Sequence, residues 1–332
     1  MIRKILTFLL LFYSLSCSFS FPEEMSEDVS RIVFSILNCD FNTAITITDS
    51  LISIKPEDPL PELMKLVTIG MRDIDYDSTI DSSGFLLVHR SASEKIKQYK
   101  QKHGTSSYSL TLEGFCLAIH SSFYLRIKSY FDVLQNGIDA IKLLKQAKEL
   151  DSTNAEVDLF LGLYDYGKSE LKKRLWWVMF WYPGTKKNGI RKLNECAQNA
   201  RITNTAALLS LSDIYLEEKQ TDLSVKILKE LEKKYPRSRF VLWGKTKYFE
   251  ATGKYSEAAG VYKRLSEEYA VLPQAETNYF LTRNKLAHML KKSGQTDTAK
   301  EICTSILKEK RIDFHKDVKK DTRKLLERLN ES

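Results

Sequence analysis

The stretch TAALLSLSDIYLEEKQTDLSVKILKELEKKYPRS, residues 205–238, decides the fold. With Thr205 as position 1, Leu208, Leu211 and Tyr215 fall at positions 4, 7 and 11. A spacing of three or four gathers side chains on one face only in a helix. Leu228 and Leu231 start a second stripe at positions 24 and 27, and Ser224 precedes it at position 20. Two helices joined by a short turn come closest at position 20, so a small side chain belongs there. Pro236 at position 32 ends the second helix, because its ring removes a donor and crowds the preceding turn. Residues 239–272 repeat the arrangement with Leu242, Phe249, Ala258, Tyr262 and Leu265, and with Gly253-Lys254 at the turn.

This pattern resembles the tetratricopeptide repeat, a helix–turn–helix unit of 34 residues. One such unit cannot bury its own apolar faces, so it stacks on its neighbours. Weaker copies are expected at 121–154, with Ile127, Phe131, Ala140, Leu144 and Ala147, and at 280–313, with Leu286, Ala287, Leu290, Ala299 and Ile306 after a seven-residue insertion. A degenerate copy at 25–58 keeps Ala44, Leu51 and Pro56, and residues 59–120 read as longer, irregular helices. Only 13 Gly and 7 Pro in 332 residues agree with long helices and short loops. The expected fold is all-α: a tetratricopeptide-like helical-hairpin solenoid, or superhelix, with an irregular helical N-terminal part. Its divisions are a signal peptide at 1–20, an N-terminal helical region at 21–120, repeats at 121–315, and a capping helix and tail at 316–332.

One repeat is interrupted. Its first helix is AEVDLFLGLYDYGKSELKK, 155–173, with Gly162 at the close-approach position, and its second runs from about 187 to 200 with Gly189 as the small residue. About fifteen residues more than an ordinary repeat allows separate those glycines, and RLWWVMFWYPGTK, 174–186, is the insertion, closed by Pro183-Gly184. Three readings compete for it. The aromatics fold back over an exposed edge of the stack, form a partner-binding lip, or lie in a lipid surface flanked by Lys172, Lys173, Lys186 and Lys187. Under the last two, Arg174, Trp176, Trp177, Phe180, Trp181 and Tyr182 make the contact. The PEDPLPE break at 56–62, the LGLY helix and the WYPGTKKNGIRKL turn together resemble exported bacterial tetratricopeptide proteins. They are more distantly similar to the eukaryotic tetratricopeptide group that includes a mitochondrial outer-membrane protein of inclusion-body clearance. The resemblance implies the fold and transfers no functional residue.

At the N-terminus, Arg3 and Lys4 precede an apolar run from Ile5 to Tyr13 and then small residues through Ser20. That layout predicts a secretory signal cleaved after Ser20, and so an exported protein, periplasmic or at the outer membrane. The alternatives are acylation of Cys17 as a lipoprotein and a retained anchor. Cys39, Cys116, Cys196 and Cys303 lie outside this segment and form no CxxC or Cys/His cluster. Cys116, Cys196 and Cys303 sit on apolar helical faces as small core residues, and disulfide pairing is left open. The net charge of +8 is spread along the chain, which argues against nucleic acid as a partner. Lys316 to Lys324 read as the solvated face of a last helix.

Motifs for chemistry are missing: there is no GxSxG, HExxH, Walker or GxGxxG sequence, and the five histidines are scattered. Asp73, Asp75, Asp77 and Asp81 occupy positions 1, 3, 5 and 9 of a calcium-loop template. Ser78 and Gly84 stand where that template needs Gly and Glu, so the segment reads as a solvated helix-to-loop junction, with no metal and no cofactor. The expected function is a non-enzymatic interaction scaffold in a bacterial envelope, binding a protein or peptide on the concave face. Asn204, Lys245 and Asn284 are its candidate contacts. The rivals are a peripheral membrane adaptor using 174–186 and an enzyme with its site beneath that loop.

Overall fold

The computed structural model describes residues 26–77, 82–174 and 186–331. Among them every regular element is helical. In chain order these are α1 (Ser26–Leu37), α2 (Phe41–Ile54), α3 (Leu60–Tyr76), α4 (Ser82–His103), α5 (Ser107–Arg126), α6 (Tyr130–Leu150), α7 (Asp158–Arg174) and α8 (Lys186–Asn199). There follow α9 (Asn204–Glu217), α10 (Thr221–Lys234), α11 (Arg239–Ala251), α12 (Tyr255–Ala270), α13 (Glu276–Lys292), α14 (Thr296–Lys308) and α15 (Lys316–Asn330). The fold is thus all-α and tetratricopeptide-like, built of packed helical hairpins. The seven residues added before the last repeat form a short 3-10 turn, Pro273–Ala275, and the first turn of α13.

The described residues divide into two compact units, one of 26–30, 55–63 and 91–204, the other of 31–54, 64–90 and 205–331, each without its undescribed residues. Five hairpin turns across the chain use one device. At Cys39, Lys128, Lys219, Gly253 and Gly294 the backbone takes positive φ, between 58° and 84°. The following residue's N–H then donates back to a carbonyl in the last turn of the helix: Asp40 to Ser35, Ser129 to Tyr124, Gln220 to Tyr215, Lys254 to Phe249 and Gln295 to Leu290. This is the left-handed close of a helix, which satisfies otherwise orphaned carbonyls.

In the second unit the repeat residues take the expected places. Ala258, Tyr262, Leu265, Leu286, Ala287, Leu290 and Ala299 join one core with Leu242 and with Leu325 and Leu329 of α15. Ser224 and Leu228 are buried as the repeat requires. The Lys-rich side of α15 is exposed, as its sequence indicates.

The first unit pairs α5 with α6 and α7 with α8. A Cβ added at Gly189 would lie 2.7 Å from the Tyr166 nitrogen and 2.8 Å from the Gly162 oxygen. Those two glycines therefore let the backbones of α7 and α8 touch. The buried Glu156 carboxylate accepts from the N–H groups of Arg201, Ile202 and Thr203 and from the Thr203 hydroxyl. It thereby satisfies the donors just ahead of the next helix.

The expected copy at 121–154 is out of phase. Ala140, Leu144 and Ala147 are buried, but Ile127 and Phe131 are exposed. The first helix of this hairpin is α5, which ends at Arg126, and Lys128 carries the turn. Gly114, against Leu144 and Ala140, takes the close-approach place.

Two substitutions separate these turn and packing effects. Gly189→Ala should lower stability by roughly 2 kcal/mol through overpacking, although helix propensity alone favours Ala by up to about 1 kcal/mol. Lys219→Gly should raise stability by about 1 kcal/mol, because only glycine takes positive φ without a Cβ clash. Urea unfolding at constant slope reads both changes.

Candidate partner-binding groove

The second unit brings the end of α3 and the α1–α2 turn against the loops that join one C-terminal hairpin to the next. Asn38 Oδ1 accepts from the Arg237 N–H at 3.2 Å, and Cys39 Sγ accepts from the Arg239 N–H at 3.4 Å. The Arg239 guanidinium then reaches Asp75 in the last turn of α3. Its Nε donates to Oδ1 and Oδ2 at 3.0 and 2.9 Å, and its Nη2 donates to Oδ2 at 2.5 Å. The Asp75 side chain is fully buried, at 0% exposure. The Tyr269 hydroxyl donates to Asp75 Oδ1 at 3.0 Å, and the Asn278 amide donates to the Asp75 carbonyl at 2.8 Å. Arg239 also lies over the Tyr269 ring, 5.4 Å from its centre. Each buried charge here has a partner, which is the condition for keeping a charge in a protein interior.

This corrects the reading of 72–84 as a solvated junction. Asp75 is an internal ion-pair partner and Asp73 is buried beside Arg72, while Asp81 lies outside the described residues. Among the described residues no group of three His, Cys, Asp or Glu is placed to hold a metal ion.

Beside this cluster a groove of about 340 Å³ opens between α9 and α11. Leu209, Ser210 and Asp213 of α9 form one wall, Phe240, Trp243 and Lys247 of α11 the other, and Ile74 of α3 borders it. Leu209 and Trp243, and likewise Asp213 and Lys247, hold corresponding places in successive 34-residue repeats. The groove therefore follows the repeat register. The two serine hydroxyls in its lining are used within α9: Ser210 Oγ donates to the Ala206 carbonyl and Ser212 Oγ to the Leu209 carbonyl. Lys247 and Asp213 form an exposed ion pair, 2.5 Å apart, at the rim. Such pairs contribute about 0–1 kcal/mol and exchange readily for a ligand's charges.

Trp243 joins the groove to the buried cluster. Its indole N–H donates to the Tyr269 hydroxyl at 3.0 Å, and its ring meets Tyr262 edge-on at 5.9 Å. An aromatic side chain held this way has little rotamer freedom left to lose in a contact.

The structure does not gather the residues expected to form the concave contacts. Lys245 turns to Glu232 of α10 at 2.6 Å, two positions from both Trp243 and Lys247 and so off the groove stripe. Asn284 is 3% exposed and donates to Thr322 of α15 at 3.0 Å. Asn204 begins α9, partly buried. Arg174 ends α7, and its side chain, with Trp176, Trp177, Phe180, Trp181 and Tyr182, lies outside the described residues. Residues 1–20 do also. Sequence reasoning missed Phe240, Trp243 and Lys247, though their spacing of three and four and the matching Leu209 and Asp213 one repeat earlier mark a shared face.

Residues 206–238 match the tetratricopeptide repeat family model. The chain matches no curated protein sequence. Among solved structures it is similar to the C-terminal part of a repeat-containing protein from Cytophaga hutchinsonii, at 15% identity and a TM-score of 0.43, covering 85% of this chain and 97% of that one. It is also similar to human IFIT1 with PPP-AAAA, at 13% identity and TM-score 0.35, covering 89% and 69%. Yeast Tom70 follows at 10% identity and TM-score 0.37, covering 90% of each chain. All three scores lie under 0.5, and the fold rests on the repeats themselves.

Burial first, and then the charge of Asp75, push the Cys39 thiol from its ordinary 9.0 up to about 12. The thiol is thus protonated in the native chain well above the pH at which it ionises when unfolded. Its contribution to stability is complete below about pH 9 and is lost as pH rises through the folded value. Cys39 should resist iodoacetamide at pH 8, reacting at least about 100-fold more slowly than in urea. Mass spectrometry of quenched time points gives the rate, and equal native and unfolded rates would refute the buried setting.

Proposed function

We propose that the chain, whose residues 206–238 match the tetratricopeptide repeat model, is a non-enzymatic scaffold binding an extended segment of a partner protein between α9 and α11. Stacked repeats as a class present their first-helix face to protein partners. The observation that carries the reading here is the repeat-matched groove with Trp243, hydrogen-bonded to Tyr269, in its wall. A partner segment would lay one apolar side chain over Trp243, Phe240 and Leu209, and set charges of opposite sign against Asp213 and Lys247. Apolar contact supplies the affinity, and the rim pair sets direction and selectivity.

The setting proposed for this scaffold is the bacterial envelope. The support is the basic, apolar and small-residue order of residues 1–20.

Peptides selected from a displayed library against the full chain test the groove. Ser210→Arg fills it from α9 at a partly buried position, and circular dichroism checks that the fold is kept. The selected peptides should lose affinity by at least about 10-fold, the scale of one lost hot spot. Equal binding to both proteins would place the site elsewhere.

A further inference from the structure

The last inter-hairpin turn of the second unit sets a phenylalanine in solvent. Phe314 closes the 3-10 turn Lys310–Phe314 between α14 and α15. At 84% it is the most exposed large apolar side chain among the described residues. Its neighbours are firmly seated. Ile312 is buried with Phe280 and Ile306, and the His315 ring lies 5.2 Å from that of Phe280. Arg311 and His315 both bond to the Glu276 carboxylate at the start of α13, at 3.1 and 3.2 Å. Glu276 therefore ties this turn to the end of the loop between α12 and α13. Val271 in that loop is 77% exposed, second only to Phe314 among the described residues of this unit. Two successive inter-hairpin loops thus hold apolar side chains outward on fixed backbone.

The surroundings of Phe314 are basic. Residues 308–324 hold eight Lys and Arg against four Asp and Glu, so half of the chain's net charge of +8 falls in seventeen residues. Charge that reads as spread along the sequence is concentrated here. Most of the acids are already engaged: Glu309 pairs with Arg283 and Arg311, Asp313 with Lys319, and Asp321 with His288. Lys310, Lys316 and Lys320 are exposed and form no ion pair among the described residues. Lys310 and Lys316 flank Phe314 in sequence, and Lys320 lies one helical turn beyond Lys316 on the same face of α15. Asp317 is the one acid of this segment that stands exposed without an ion-pair partner among the described residues.

This combination selects the occupant. A protein hot spot is an aromatic side chain packed into a complementary pocket. A ring that protrudes instead needs a partner that yields around it. A lipid headgroup layer does so, taking an aromatic ring at its boundary while its phosphates meet surrounding lysines. We propose that this edge is a docking surface for an anionic lipid bilayer, with Phe314 entering the headgroup layer and Lys310, Lys316 and Lys320 meeting its phosphates. Val271 continues the apolar edge. The contact lies in inter-hairpin loops and the peptide groove between α9 and α11, so each stands or falls separately.

Phe314→Trp in the full chain tests this, since it adds a fifth tryptophan at the exposed tip. Residues 1–20 and 174–186 are unchanged, so the emission added over wild type reports on position 314 alone. Vesicles of phosphatidylcholine and phosphatidylglycerol with brominated acyl chains should quench that added emission, and brominated phosphatidylcholine alone should not. Adding Lys310→Glu and Lys316→Glu, with the fold checked by circular dichroism, should lower the partition constant read from this quenching at least about 10-fold. The proposal is overturned by absent quenching, by equal quenching on neutral vesicles, or by quenching that the lysine changes leave intact. Lysine-dependent binding of polyglutamate without quenching would assign the patch to an acidic protein and equally overturn it.

Discussion

The buried pair of Asp75 and Arg239 is the constraint on which the second unit depends. It ties the last turn of α3 to the start of α11 across 164 positions of sequence. A carboxylate with no exposure is tolerable only because Arg239 meets it through two nitrogens and Tyr269 donates as well. Removing one partner leaves a charge without compensation, at a cost of about 3–5 kcal/mol, whereas replacing both by apolar groups can be nearly neutral. The pair's contribution is thus chiefly one of placement. A helix seated by a single buried charge has one register, since a shift of one residue would carry Asp75 away from its donors.

That placement passes directly to the groove. Asp75 fixes the Tyr269 hydroxyl, Tyr269 accepts the Trp243 N–H, and Trp243 lines the groove. Ile74, the neighbour of Asp75, stands at the border of the same groove. The N-terminal helices therefore do more than cap the repeats. They border the groove through Ile74 and, through Asp75 and Tyr269, hydrogen-bond its aromatic Trp243 in place. Cys39, half-buried at the α1–α2 turn, reports on the same joint from the other side.

Much of the fold was legible in the sequence because its causes are local. The 34-residue spacing of Leu208, Leu211, Ser224 and Leu228 and their counterparts reflects contacts within a hairpin, and Gly162 with Gly189 marks the closest approach of one. The phase of 121–154 misled because Ile127 and Phe131 have core chemistry but lie at a turn, and apolar character alone does not distinguish a core from a ridge. The site was less legible. Asp75 read as solvated because its partner lies far along the chain, and no local pattern records a contact of that range. Lys245 and Asn284 are polar residues on first helices, as a ligand-binding face would need. Each is used instead inside the structure, Lys245 on Glu232 and Asn284 on Thr322. The aromatic run at 174–186 stands out most in the sequence, and the described residues stop at its borders.

The central claim is that the Asp75–Arg239 pair seats the N-terminal helices on the C-terminal repeats. A double-mutant cycle with Asp75→Asn, Arg239→Met and the combined variant, followed by urea unfolding, tests it most directly. The account predicts that each single change destabilises by about 3 kcal/mol, that the double variant loses far less than the two together, and that the coupling exceeds about 2 kcal/mol. Additive losses, with a coupling below about 0.5 kcal/mol, would contradict it.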